Sequence, residues 1–125
     1  TLGASSRRFA AGYSLAGLFA LDLFARHGSL DGAASASGSL WFDGWTDWLR
    51  AAPLDATGKR VYLSLGDREA KTRNARLAAV EERTREAEAL FRARGAETLF
   101  ESNPGNHFQD AGERLAKGVR WLLRD

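Results

Sequence analysis

One short motif, Gly12–Gly17 (GYSLAG in one-letter code), most constrains how this chain can fold. A short apolar run, Phe9–Ala11, precedes it, and a strongly apolar helical segment follows it. A serine at the corner between a strand and a helix, with small residues on both sides, has the pattern of a nucleophile elbow. The small residues leave room for a sharp turn that exposes the serine hydroxyl above the helix N-terminus. Ala16 stands where the usual pattern has glycine, and the alternative role for Ser14 is to cap the helix.

The composition indicates a single domain spanning residues 1–125 and excludes several classes of protein. The net charge is only +2 and no basic tract is present, so we expect no nucleic-acid partner. The apolar run Leu15–Ala25 is interrupted by Asp22 and is too short to span a bilayer, so we expect no membrane partner. The absence of cysteine excludes disulfides and thiolate metal sites. We expect no metal ion and no cofactor.

The chain begins at Thr1 without a methionine and without a recognisable signal peptide. We therefore expect a processed, trimmed or partial chain, and a cytoplasmic protein in preference to a secreted one. Residues 1–6 are small and polar, which predicts a linker or a frayed end.

Strand and helix patterns alternate along the rest of the chain, which predicts an α/β fold with a mostly parallel sheet flanked by helices. Gly28 is expected to cap the first helix, and His27 to act as a cation near that helix's C-terminus. The closing helix has Leu115, Val119, Leu122 and Leu123 at the spacing of one apolar face. The predicted strands are Arg7–Tyr13, Ala33–Ser37, Arg60–Leu65 and Glu97–Glu101, and the predicted helices are Ser14–His27, Asn74–Arg94 and Gln109–Arg124.

An aromatic segment follows the second predicted strand and contains Trp41, Phe42, Trp45 and Trp48. Such side chains bury large areas, so they are interpreted as an aromatic cover over the sheet. The alternative is a wall that binds substrate, and Trp41 is the residue expected to take that role because it lies nearest the strand end.

Three kinds of reactive side chain follow three of the predicted strands. Ser14 follows the first, the carboxylates Asp67 and Glu69 follow the third, and His107 follows the fourth. Ligands of an open parallel sheet bind at the carboxyl ends of its strands. A neutral imidazole can take the proton of a serine hydroxyl, and a carboxylate can hold the other ring nitrogen. The sequence therefore predicts a nucleophile, a base and an acid at one edge, although the pattern leaves open which carboxylate is the acid and His107 could instead bond to a backbone carbonyl.

With these residues in place, the chain resembles the C-terminal half of an α/β-hydrolase of the putative esterase family, which includes enterochelin (siderophore) esterases. The matching segments are Gly12–Gly17, Ser35–Trp41, Leu63–Glu69 with Lys71–Asn74, and Asn103–His107. The resemblance implies a serine esterase that hydrolyses a small-molecule carboxylic ester through an acyl-serine intermediate. It implies Ser14 as nucleophile, His107 as base, and Glu69 as the acid, because relatives carry a Gly-x-x-Glu there.

The resemblance also implies the groups around the reacting ester. The Leu15 N–H would be one oxyanion-hole donor, and Tyr13 and Trp41 are expected to bind substrate. Members of the family carry about half of their sheet upstream of the elbow, including the loop with the second oxyanion donor. We therefore expect a fragment, or a chain that pairs its open sheet edge with another copy to form a homo-oligomer. The alternative functions are a non-catalytic half-hydrolase module used for binding or assembly, and an acyltransferase on the same scaffold.

Overall fold

A single parallel sheet organises the chain, and its strand order follows the order of the sequence. The computed structural model describes residues 7–124, so the linker predicted over residues 1–6 lies outside the described residues. All three strand pairings are parallel, which confirms the predicted α/β class with a parallel sheet. In sheet order, the strands are β1 (Phe9–Tyr13), β2 (Gly32–Ala36), β3 (Arg60–Gly66) and β4 (Glu97–Asn103).

Helices cover both faces of this sheet. The described part of the chain contains α1 (Leu15–Arg26), α2 (Trp45–Ala51), α3 (Ala75–Ala78), α4 (Val80–Ala93) and α5 (Ala111–Leu123). Side chains of α1, α2 and α4 pack together on one face, and α5 packs alone on the other. None of these helices combines the length and the hydropathy needed to cross a membrane.

The alternation of side chains along the central strands divides the core between the two faces. Val61 and Leu63 are fully buried beneath Phe24 of α1 and Phe91 of α4. Tyr62, between them, points to the opposite face and packs against α5. Full burial of a large apolar side chain stabilises a fold by about 1.5–3 kcal/mol, so the first face contributes most of the hydrophobic stabilisation.

Strand β2 consists entirely of small residues because helices cover it on both faces. All five of its residues are buried. Ala33 belongs to the core beneath α1, whereas Ala34 packs with Leu122 of α5 on the other face. At the C-terminal end of the strand, a methyl group on Gly17 of α1 would lie 2.7 Å from the Oγ of Ser35. The prediction of a buried strand in this segment is confirmed, and the small side chains let α1 approach the sheet closely.

The aromatic segment contains a helix that the sequence pattern did not predict. Trp45 begins α2 after Gly44, which adopts a left-handed conformation with φ 81°. The indole Nε1 of Trp45 donates a hydrogen bond to Asp22 of α1 at 3.0 Å, and Trp48 packs against the same core. The interpretation of these two tryptophans as an aromatic cover therefore agrees with their burial, but they cover the sheet from a helix of only seven residues.

Two predictions about helices are wrong: the single long helix after β3, and the glycine cap of the first helix. The segment predicted as one helix over Asn74–Arg94 is broken at Ala79 into α3 and α4. Asn74 caps α3, because its side-chain oxygen accepts hydrogen bonds from the N–H groups of two α3 residues, at 3.0 and 3.4 Å. Helix α1 ends at Arg26, with His27 in an extended conformation, and Gly28 does not adopt the positive φ of a glycine cap.

The buried face of α5 also differs from the predicted one. Its buried residues are Arg114, Gly118 and Leu122, which follow one another at intervals of four, whereas Leu123 is 55% exposed. Gly118 explains the difference, because a helix can lie closest to the sheet where it has no side chain. A methyl group there would lie 2.7 Å from the ring of Tyr62. The contact line of α5 therefore runs through the glycine rather than through the larger apolar residues.

This close contact makes a testable prediction about two glycines of α5. We expect Gly118→Ala to lower the free energy of unfolding by about 1–2 kcal/mol, since overpacking against Tyr62 outweighs the better helix propensity of alanine. Gly112→Ala is the matched control, because nothing lies within 4 Å of a methyl group at that position. Urea denaturation of both variants measures the effect. Equal stability of the two variants would show that α5 does not depend on this contact.

Candidate active site

Ser14 occupies a strained turn between β1 and α1. Its backbone has φ 62° and ψ −125°, a conformation that residues with a side chain rarely adopt. The turn is held by backbone hydrogen bonds, since the Ser14 N–H donates to Ala36 at 3.0 Å and its carbonyl accepts from Gly17 and Ser39. A methyl group on Gly12 would lie 2.2 Å from the carbonyl oxygen of Ala16, so only glycine fits there.

The side chain of Ser14 does not cap the helix. Its hydroxyl makes no capping hydrogen bond to the first turn of α1. Instead, the Oγ lies 2.8 Å from the Nε2 of His107. The capping alternative is therefore wrong, and the hydroxyl is available for a different interaction.

His107 lies in the loop after β4 and connects the serine to a carboxylate. Its Nδ1 lies 2.8 Å from Oε1 of Glu69. A carboxylate can only accept a hydrogen bond, so the proton of a neutral imidazole lies on Nδ1 and leaves Nε2 free to accept from the serine hydroxyl. The imidazole is 30% exposed and stacks on the ring of Tyr13, with the ring centres 5.2 Å apart.

Of the two carboxylates left open by the sequence, Glu69 is the one that contacts His107. Its side chain is 4% exposed, whereas that of Asp67 is 54% exposed. Oδ1 of Asp67 accepts a hydrogen bond from the backbone N–H of Gly105 at 2.9 Å, so it supports the loop that carries the histidine. The three predicted groups Ser14, His107 and Glu69 thus form one hydrogen-bonded chain.

Tyr13, which was expected to bind substrate, packs against the histidine, and its role in substrate binding stays a prediction. Its hydroxyl donates a hydrogen bond to the backbone carbonyl of His107. Burial raises the pKa of Tyr13 above its ordinary value, and the negative charge of Glu69 raises it further, while Arg114 lowers it. The phenol therefore stays protonated at neutral pH and can keep donating to the loop.

An apolar cavity of about 230 Å³ opens beside the serine and the histidine. Trp41 is part of its wall, and its role in substrate binding stays a prediction. The guanidinium of Arg76 lies 5.6 Å from the centre of the Trp41 ring and forms an ion pair with Asp43 at 3.0 Å. The other apolar residues of the wall are Leu77, Val80 and Phe108.

Leu15 is the first residue of α1, directly after the serine. Its side chain is 64% exposed and lines a second apolar groove together with Phe19 and Phe42, on the outer side of α1. The role of its N–H as an oxyanion donor stays a prediction.

Two residues of the site were not assigned by the sequence analysis. The hydroxyl of Ser37 donates to Oε2 of Glu69 at 2.5 Å, and the fully buried guanidinium of Arg114 lies 3.5 Å from the same oxygen. Arg114 belongs to no sequence motif. The one pattern that could have indicated its burial is its spacing of four residues from Gly118 and eight from Leu122, which places the three on one face of the helix. Within residues 7–124 no cluster of three or more side chains could hold a metal ion.

The chain is similar to several known proteins. A family model described as "Putative esterase" matches residues 1–122. No curated protein sequence matches the chain. Among solved structures, the chain is similar to siderophore hydrolase EstA from Aspergillus nidulans, with 26% identity and a TM-score of 0.63 over 90% of this chain and 47% of that one.

Two further structures show the same fold. Siderophore hydrolase EstB from Aspergillus nidulans has 24% identity and a TM-score of 0.67, over 91% of this chain and 48% of that one. The enterobactin esterase FES from Shigella flexneri has 22% identity and a TM-score of 0.72, over 91% of this chain and 31% of that one. The chain therefore spans about a third to a half of the length of these structures.

The strained turn predicts that Ser14→Gly is more stable than Ser14→Ala. Both variants remove the hydroxyl, but glycine adopts a positive φ without the steric cost of a Cβ. We expect a difference of about 1 kcal/mol in the free energy of unfolding, because the relief of strain is partly offset by the greater entropy of unfolded glycine. The same pair at Ser29, which is exposed and does not have a positive φ, is the control and should favour alanine. If Ser14→Ala were as stable as Ser14→Gly, the backbone at Ser14 would not be strained.

Proposed function

Since the chain belongs to the "Putative esterase" family, we propose that it carries the catalytic groups of an ester hydrolase and that Ser14 is the nucleophile. The observation that carries the proposal is the hydrogen-bonded chain from Ser14 to Glu69, in which His107 makes contacts of 2.8 Å on each side. These three hydrogen-bonded side chains lie beside an apolar cavity, from which a substrate carbonyl could reach the Ser14 hydroxyl.

In the first half of the reaction, the Oγ of Ser14 attacks the carbonyl carbon of the ester while Nε2 of His107 takes the hydroxyl proton. The carboxylate of Glu69 holds the Nδ1 proton and stabilises the imidazolium that forms. The N–H of Leu15 donates to the developing oxyanion. When the tetrahedral intermediate collapses, His107 returns its proton to the leaving alkoxide, and the acyl group stays on Ser14.

In the second half, water replaces the alcohol. His107 takes a proton from the water as its oxygen attacks the acyl carbon. The second tetrahedral intermediate then releases the carboxylic acid, and the imidazolium returns the proton to Ser14. The hydroxyl group is thereby restored, and only the ester and one water molecule are consumed.

The substrate is proposed to be a carboxylic ester with an apolar group beside the reacting carbonyl. Trp41 and Val80 supply an apolar wall of the cavity, and Phe108 covers one side. The names of the matched structures make siderophore esters the first natural compounds to test. An activated ester such as p-nitrophenyl acetate reports the same chemistry without assuming the natural acyl group.

The identity of the nucleophile predicts the site of covalent labelling. We expect a fluorophosphonate to label the full-length protein at Ser14, because His107 is positioned to take the proton of that hydroxyl. Peptide mass spectrometry locates the label. Ser14→Ala should abolish labelling, and Ser29→Ala, which changes an exposed serine distant from the site, should leave it unchanged. Labelling at any other residue would disprove this mechanism.

The identity of the acid predicts unequal effects for two neighbouring carboxylates. Glu69→Gln should lower kcat for p-nitrophenyl acetate by about 10³–10⁴-fold, because the amide no longer holds the imidazole in its working tautomer. Asp67→Asn should have a much smaller effect, since Asp67 bonds to a loop N–H and not to the imidazole. Steady-state kinetics of both variants measures the contrast. A larger loss in Asp67→Asn would reverse the assignment.

A further inference from the structure

A buried arginine behind the candidate acid has no part in the proposed reaction. Arg114 of α5 is 1% exposed. Its Nη1 lies 3.1 Å from Oγ of Ser37 and 3.5 Å from Oε2 of Glu69, and its Nη2 donates to the carbonyl of Pro104 at 3.3 Å. The remaining nitrogen, Nε, has no hydrogen-bond partner in the described part of the chain. The polar contacts of the side chain are therefore concentrated around the carboxylate and the loop beside it.

The two oxygens of the Glu69 carboxylate have different partners. Oε1 faces His107, whereas Oε2 accepts from the Ser37 hydroxyl and the Gly66 N–H, both at 2.5 Å, and lies near Arg114. Rotation of the carboxylate would break all of these contacts on Oε2. Donors on one oxygen therefore orient the other oxygen toward the imidazole.

The negative charge of the buried Glu69 carboxylate must also be balanced. A carboxylate removed from water is costly unless an opposite charge lies close to it. The side chains of Glu69 and Arg114 are 4% and 2% exposed, so water cannot supply the compensation. Arg114 is the buried cation closest to Oε2 in the structure described.

We propose that Arg114 is a positioning residue, which acts through Glu69 by orienting its carboxylate and balancing its buried charge. The inference rests on the proposed function, because positioning matters only if His107 acts as the base. It predicts a specific loss of the Glu69–His107 hydrogen bond when the positive charge is removed. A purely structural role, such as holding the loop at Pro104, predicts lower stability with that hydrogen bond intact.

The test compares Arg114→Met, Arg114→Lys and Arg120→Met in the full-length protein. Arg120 is the matched control, since it lies on the same helix but is 64% exposed and pairs with Glu113. The first measurement is the strongly downfield proton resonance of a histidine Nδ1–H bonded to a carboxylate, assigned by its loss in Glu69→Gln. The second is the rate of fluorophosphonate labelling, and thermal unfolding reports stability.

We expect Arg114→Met to lose the downfield resonance and to label about 10- to 100-fold more slowly, the effect of misplacing a catalytic group by about 1 Å. Arg114→Lys should keep the resonance and recover part of the rate, because it restores the charge without the second donor. Arg120→Met should match the unchanged protein in both measurements. The proposal would be overturned if Arg114→Met kept the downfield resonance. It would also be overturned if the protein without substitutions did not show that resonance.

The two proposals can fail separately. If the resonance follows the expected pattern but no variant is labelled, Arg114 positions Glu69 and the proposed esterase mechanism is wrong. If Arg114→Met does not fold, the double variant Glu69→Gln/Arg114→Met removes both buried charges. A recovered melting temperature in the double variant supports the charge pairing, since an unpaired buried charge is more costly than a neutral pair. A double variant no more stable than Arg114→Met contradicts it.

Discussion

The buried carboxylate of Glu69 is the interaction on which the geometry of the candidate site depends. Ser37 reaches it from the end of β2, Gly66 from the end of β3, His107 from the loop after β4, and Arg114 from α5. One ionised group therefore connects three strand ends and the helix on the far face of the sheet. Because charged hydrogen bonds are strong and directional in a buried site, this single side chain holds the strand ends and the loop in fixed positions around it.

The elbow at Ser14 imposes a second constraint, and small residues satisfy it. Gly12 and Gly17 allow the backbone of α1 to lie against β1 and β2, which raises the hydroxyl to the rim of the sheet. The strain of this turn is held by hydrogen bonds from the neighbouring strand and loop rather than by the serine side chain. The hydroxyl is consequently free to face the imidazole. The small residues of β2 lower its propensity to form a strand, but they let α1 come close enough to the sheet to place Ser14 at the site.

Local patterns in the sequence predicted the elbow, the four strands and the three side chains that meet at their ends. They succeeded because a parallel sheet brings its carboxyl ends to one edge whatever the connections contain. The choice of Glu69 over Asp67 came from family resemblance, since spacing alone does not tell which carboxylate turns inward. Helix α2 was missed because seven residues form only about two turns, too few for the helical spacing of Trp45, Trp48 and Leu49 to stand out. Arg114 was missed because its burial depends on the close approach of α5, which only the packed structure reveals.

The strand order, which follows the sequence, has a consequence for how the site is assembled. Each strand pairs with the one before it, so the sheet can form by successive additions that each close one helix-containing crossover. The contact between Ser14 and His107 is different, since 93 residues separate the two side chains. It exists only once β4 and the loop after it have docked. On a ribosome, Ser14 of the nascent chain therefore has no base beside it until β4 and the loop with His107 have been made and have docked.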